Sequence, residues 1–78
     1  MTTLRLDLRL RDSASLAKVL NHLTRLGAEV TALRSRGPRV RMELEMPDSR
    51  AHRCVPQLRR LVEVTGLREL PVGDAVSA

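Results

Sequence analysis

Residues 4–27 read LRLDLRLRDSASLAKVLNHLTRLG, and the repeat of their apolar residues changes once, near residue 12. From Leu4 to Leu10 every second residue is leucine, with Arg5, Asp7 and Arg9 between. Successive strand side chains point to opposite faces, so this is a strand with one dry face and one wet face. Asp12, Ser13 and Ser15 follow, all residues that favour helix N-caps. Leu16, Val19, Leu20, Leu23 and Leu26 then recur at three- and four-residue steps, the apolar stripe of a helix. Gly27 stands where a left-handed C-cap is wanted.

The rest of the chain repeats this grammar. Residues 28–36, AEVTALRSR, form a weaker second strand whose inward set is Val30 and Ala32. Gly37-Pro38 makes a turn into RVRMELEM, where Val40, Met42, Leu44 and Met46 face in and Arg39, Arg41, Glu43 and Glu45 face out. Pro47-Asp48-Ser49 is a stop followed by a cap. Ala51, Cys54, Val55, Leu58, Leu61 and Val62 make a second helical stripe, continuous but bent at Pro56. Gly66 is read as a break, LRELPV as a short last strand and residues 73–78 as a frayed tail behind a single domain of residues 1–72. The order is βαββαβ. It predicts an α+β, ferredoxin-like fold: a four-stranded antiparallel sheet with two helices on one face.

Composition narrows the function. The 78 residues hold no Phe, Tyr or Trp, so the thin core is aliphatic and gains from pairing with another chain. One cysteine excludes an internal disulfide framework. No stretch is apolar enough for a signal peptide or a membrane span, which points to a reduced, cytoplasmic protein. Thirteen of the fourteen basic residues are arginine and the formal charge is +5. The arginines are interleaved with acids, Arg5/Asp7/Arg9 in the first strand and Arg41/Glu43/Glu45 in the third, which reads as a paired, solvated face rather than a phosphate track. Single-stranded RNA binding on such a sheet needs aromatic stacking residues, and their lack argues against nucleic acid.

No constellation for chemistry emerges. His52 and Cys54 are two apart and share no helix face, so no metal site forms, and Cys54 reads as a small core residue. His22 and His52 read as surface histidines. No nucleophile stands with a base and an orienter, and no glycine-rich phosphate loop is present. The expectation is a non-catalytic protein with no cofactor.

The segment RDSASLAKVLNHLTRLGAEVTAL resembles the opening of an ACT domain, the small amino-acid-sensing module. In that family a strand leads into Asp/Asn-x-Pro-Gly-x-Leu and a helix. Leu16, Val19, Leu20, Leu23 and Gly27 fit the pattern. More narrowly, SLAKVL, MELEM before a polar cap, and QLRRLVEV before a last strand resemble the short regulatory subunits of acetolactate synthase, those of isozyme II among them. The resemblance covers about residues 3–70 and lies mostly in core patterning. It implies a subunit that binds and activates the thiamine-diphosphate-dependent catalytic subunit in branched-chain amino-acid synthesis. Independently of the resemblance, the second strand lies at an edge of such a sheet, which predicts a homodimer joined along Ala28, Val30 and Ala32. The family's ligand turn falls on Asp12, Ser13, Ala14 and Ser15. Its glycine is replaced by Ala14 and its proline by Ser13, which implies a turn kept for capping rather than for valine. The alternatives are a free-standing ACT domain that senses an amino acid at that turn and, ranked last, a basic nucleic-acid-binding module.

Overall fold

The computed structural model describes residues 1–71. The elements run β1 (Thr2–Leu10), α1 (Ser15–Arg25), β2 (Glu29–Arg36), β3 (Arg39–Met46), α2 (Asp48–Arg59) and β4 (Val64–Leu70). The strands form one antiparallel sheet in the order β2-β3-β1-β4, with β2 and β4 at its edges. This is the ferredoxin-like α+β arrangement that the patterning predicts. The expected tail, residues 73–78, lies outside the described residues.

The core is aliphatic and lies on one face. Leu4, Leu6, Leu8 and Leu10 of β1 and Val40, Met42, Leu44 and Met46 of β3 are buried with Val19 and Leu23 of α1 and Cys54 and Leu58 of α2. Leu16, Leu20 and Leu26 pack at the margin of this cluster, so the α1 stripe holds with its centre at Val19 and Leu23. The Thr2 hydroxyl donates to the Asp48 carboxylate at the start of α2. That bond, with the terminal amine of the chain, holds the carboxyl below its ordinary range.

Helix α1 ends as its glycine demands. Gly27 has φ +83°, Ala28 N–H donates to the Leu23 carbonyl at 2.9 Å and Gly27 N–H to that of Thr24 at 3.0 Å. These two bonds close a Schellman motif and satisfy carbonyls that the helix leaves open. Between Arg36 and Arg39, Gly37 has φ +60° and Pro38 is restricted to negative φ, the combination of a type II′ hairpin turn.

The structure corrects four local expectations. Ala32 does not face in. The register of β2 on β3 shifts between Val30 and Ala32, so Val30 pairs with Leu44, Ala32 with Glu43 and Leu33 with Met42. The extra residue, Thr31, hands the inward positions from Val30 to Leu33 and Ser35 and turns Ala32 onto the open face. Gly66 does not break the chain but lies within β4, opposite Arg9. Helix α2 runs through Pro56 and ends at Arg59, so Val62 falls beyond it and is exposed. The cap before α2 is Pro47, whose carbonyl accepts from Arg50 N–H at 3.0 Å and Ala51 N–H at 3.1 Å, while Asp48 opens the first turn.

Both edge strands carry the same device. On β4 the pairing skips Thr65, as on β2 it skips Thr31. The Thr31 hydroxyl donates to the Glu43 carbonyl and the Thr65 hydroxyl to the Arg9 carbonyl, each at 3.1 Å. A threonine thus satisfies the acceptor that each irregularity exposes.

Candidate functional site

The turn between β1 and α1 brings Asp12, Ala14 and Ser15 together around a shallow depression of about 260 Å³, with Arg11, Lys18 and Glu63 as the other walls. Ser13 does not line it. Of the three candidate caps Asp12, Ser13 and Ser15, Asp12 makes the side-chain bond to the start of the helix. Its Oδ1 accepts from Ser15 N–H at 3.0 Å and from the Ser15 hydroxyl at 2.9 Å, and Ser15 is buried. The Asp12 carboxylate therefore stands where an incoming ligand carboxylate would need the first helical N–H groups. Ala14 has φ −69° and ψ −19°, ordinary helical backbone that needs no glycine. Lys18 Nζ lies 3.5 Å from Glu63 Oε2 and Arg11 N–H donates to the Glu63 carbonyl at 2.8 Å, so charges cross the depression. Among its described walls only Ala14 is apolar, which leaves no pocket for a branched side chain.

The β2 edge also stands as the topology implies. Val30 is half-buried, Ala32 is exposed, and Ala28 lies just before the strand with its side chain against the core. Leu33, absent from the expected set, is 40% exposed at this edge.

The open face of the sheet is electrically divided, and this was not read from the sequence. At one end Glu29 faces Glu45, and Glu43 faces Arg5 with 3.6 Å between Arg5 Nε and Glu43 Oε2. At the other end arginines oppose arginines. Arg34 pairs in register with Arg41, Arg36 with Arg39, and Arg39 with Arg9. Asp7 lies at the centre of this end, 9% exposed, with Arg41 and Arg68 opposite it on the two neighbouring strands. Its Oδ2 is 3.4 Å from Arg39 Nη2 and 3.8 Å from Arg41 Nε. The expected cross-strand pairing of acid and base therefore holds at Arg5–Glu43 and around Asp7 and fails at the hairpin end. Among the described residues Arg9, Arg34, Arg36 and Arg68 have no carboxylate within 4.0 Å. A two-residue turn between Arg36 and Arg39 was the available signal, because it fixes Arg36 opposite Arg39 and Arg34 opposite Arg41.

Cys54 is fully buried, and burial, with the Glu69 carboxylate adding, pushes its thiol up to about 11. His22, expected at the surface, is half-buried, with Nε2 3.2 Å from Gln57 Oε1 across the two helices. His52 is exposed. Among the described residues no three His, Cys, Asp or Glu side chains group as metal ligands, and no helix is long and apolar enough to cross a membrane. No family model matches the chain, and no curated protein matches it.

Proposed function

We propose that this chain is a non-catalytic regulatory subunit, built on an ACT-like scaffold, that binds and activates the catalytic subunit of a thiamine-diphosphate-dependent acetolactate synthase in branched-chain amino-acid synthesis. It works in the cytoplasm as a homodimer and carries no cofactor of its own. The observation that supports this reading is the turn at Asp12. The fold is of the ferredoxin-like kind that the reading requires, the Ser15 N–H at the start of α1 is taken by the Asp12 side chain, and Ala14 is the one apolar wall of the depression beside it among the described residues. What stays open is surface for macromolecular contact, above all the β2 edge, whose outer backbone groups have no sheet partner among the described residues. Two such edges meeting about a two-fold axis join the sheets into one of eight strands. A subunit of this kind acts by binding the active conformation of the enzyme better than the inactive one.

The test joins three measurements. Light scattering at high micromolar concentration gives a dimer. A purified acetolactate synthase catalytic subunit is retained by the immobilised chain and gains activity when the chain is added. Calorimetric titration with valine, leucine or isoleucine at millimolar concentration gives no saturable heat. Saturable heat that a bulky substitution at Ala14 abolishes establishes the sensing domain instead. A monomer that leaves the enzyme unchanged refutes the proposal.

A further inference from the structure

The hairpin end of the open face holds six arginines, Arg9, Arg34, Arg36, Arg39, Arg41 and Arg68, around the single carboxylate of Asp7. Like charges directly opposite each other across strands are destabilising. Three such pairs, Arg34–Arg41, Arg36–Arg39 and Arg9–Arg39, adjoin here. We propose that this end of the sheet is a binding site for an oligophosphate, a ligand with two or more adjacent phosphate groups.

Four observations carry the proposal. The first is the excess of charge: Asp7 engages Arg39 and Arg41, while the other four guanidinium groups have no carboxylate within 4.0 Å among the described residues. The second is order. Asp7 is nearly buried, so it anchors Arg39 and Arg41 from beneath and leaves their outer N–H groups free. Preorganised guanidinium forks suit phosphate oxygens, which they bind in bidentate fashion. The third is shape. Asp7, Arg34, Ser35, Arg36, Arg39 and Arg41 line an open depression of about 530 Å³, within the usual range of small-molecule sites. Its arginines project at about 5 Å across the strands and about 7 Å along them, a grid that one compact polyanion can span. The fourth is confinement. Glu29, Glu43 and Glu45 hold the opposite end of the same face, so a long nucleic-acid strand laid along it runs from attraction into repulsion. The chain also has no aromatic residue on which a base could stack. A short, dense anion fits the arginine end alone. The depression lies at the same end of the sheet as the turn at Asp12 but shares no lining residue with the depression there, and the proposal is independent of the regulatory reading.

Tripolyphosphate is the probe, titrated into the full chain at fixed ionic strength with sulfate as control. The expected result is saturable binding and, at ten times the dissociation constant, a melting temperature raised by about 6–10 °C. The double variant Arg34→Gln/Arg36→Gln is expected to lose at least about tenfold in affinity, because two charge-assisted contacts go. Both residues are exposed, so the fold stays intact. The variant Arg25→Gln/Arg53→Gln removes the same charge from the exposed sides of the two helices and is expected to bind like the parent. Oligouridylate and polyglutamate are the competing anions, and the former is expected to release by about 200 mM salt. Binding that fails to saturate, equal weakening by the two double variants, or tighter binding of either competitor overturns the proposal.

Discussion

Replacing Asp7 by Asn removes one negative charge with almost no change of shape, and the structure sets both the size and the salt signature of the effect. The carboxylate is 9% exposed and lies 3.4 Å from Arg39 and 3.8 Å from Arg41. At an effective dielectric constant near 20 each contact carries about 4–5 kcal/mol of raw attraction. Most of this does not survive. The two guanidinium side chains are 56% and 63% exposed, so water screens them, and burying Asp7 costs desolvation energy. A net loss of about 1–2 kcal/mol remains for the pair of contacts. The arginine–arginine pairs, no longer offset, add a few tenths each. The variant is therefore expected to be less stable by about 2 kcal/mol, a fall in melting temperature of about 8–16 °C for a domain of this size. Salt separates this account from a packing defect. In the variant only repulsion is left to screen, so raising sodium chloride from about 0.05 to 0.5 M should close part of the gap to the parent. Thermal melts by far-ultraviolet circular dichroism at both salts measure this. A variant that melts within about 2 °C of the parent at low salt, or a gap that widens with salt, would refute the reasoning.

Three further outcomes follow from features already described. Leu58→Ala, at a fully buried position, should cost about 2–5 kcal/mol, whereas Leu20→Ala, at the margin of the core, should cost clearly less; denaturant titration of both variants checks the order. The Cys54 thiol is neutral in both folded and unfolded chains below pH 9 and ionises only in the unfolded chain between about 9 and 11, so stability should fall by about 1.4 kcal/mol per pH unit across that window. With no tyrosine and a single lysine in the chain, Cys54→Ala should flatten most of that alkaline limb in melts taken from pH 8 to 11, even though the variant starts from lower stability. Ala14→Gly should cost under about 1 kcal/mol, because residue 14 already has helical backbone angles, and calorimetry should find no gain in branched-chain amino-acid binding.

The elements with one strong periodicity were legible in the sequence. Strands β1 and β3 alternate without interruption, α1 carries a single stripe closed by Gly27, and these three pin the sheet order with the second helix. Strand β2 was misread in phase because its few apolar residues are split by Thr31, and alternation counted from Val30 lands on Ala32 instead of Leu33. The end of α2 was misread because Leu61 and Val62 prolong its apolar spacing after the helix has stopped. At the candidate turn the position was legible but its chemistry was not. Asp12, Ser13 and Ser15 all favour capping, and only the folded chain shows that Asp12 takes the bond while Ser15 is buried beneath it. The arginine end is not visible in any one strand. On their own strands Arg5, Arg9 and Arg41 each have an acid two residues away, and the opposition of arginine to arginine exists only between strands.

The extra residue at Thr31 acts as a frame-shift in the strand. Without the irregularity that absorbs it, strict alternation from Val30 would set Ala32 opposite Met42 and Arg34 opposite Val40, carrying a guanidinium group to the helix side. The bulge absorbs the inserted residue, so the residues downstream keep the faces that their polarity requires. Deleting Thr31 would place Ala32 directly after Val30 and leave every downstream pairing unchanged, whereas a slip that paired Thr31 with Glu43 would turn Arg34 toward the core. A hydroxyl bonded to the Glu43 carbonyl is what holds that frame.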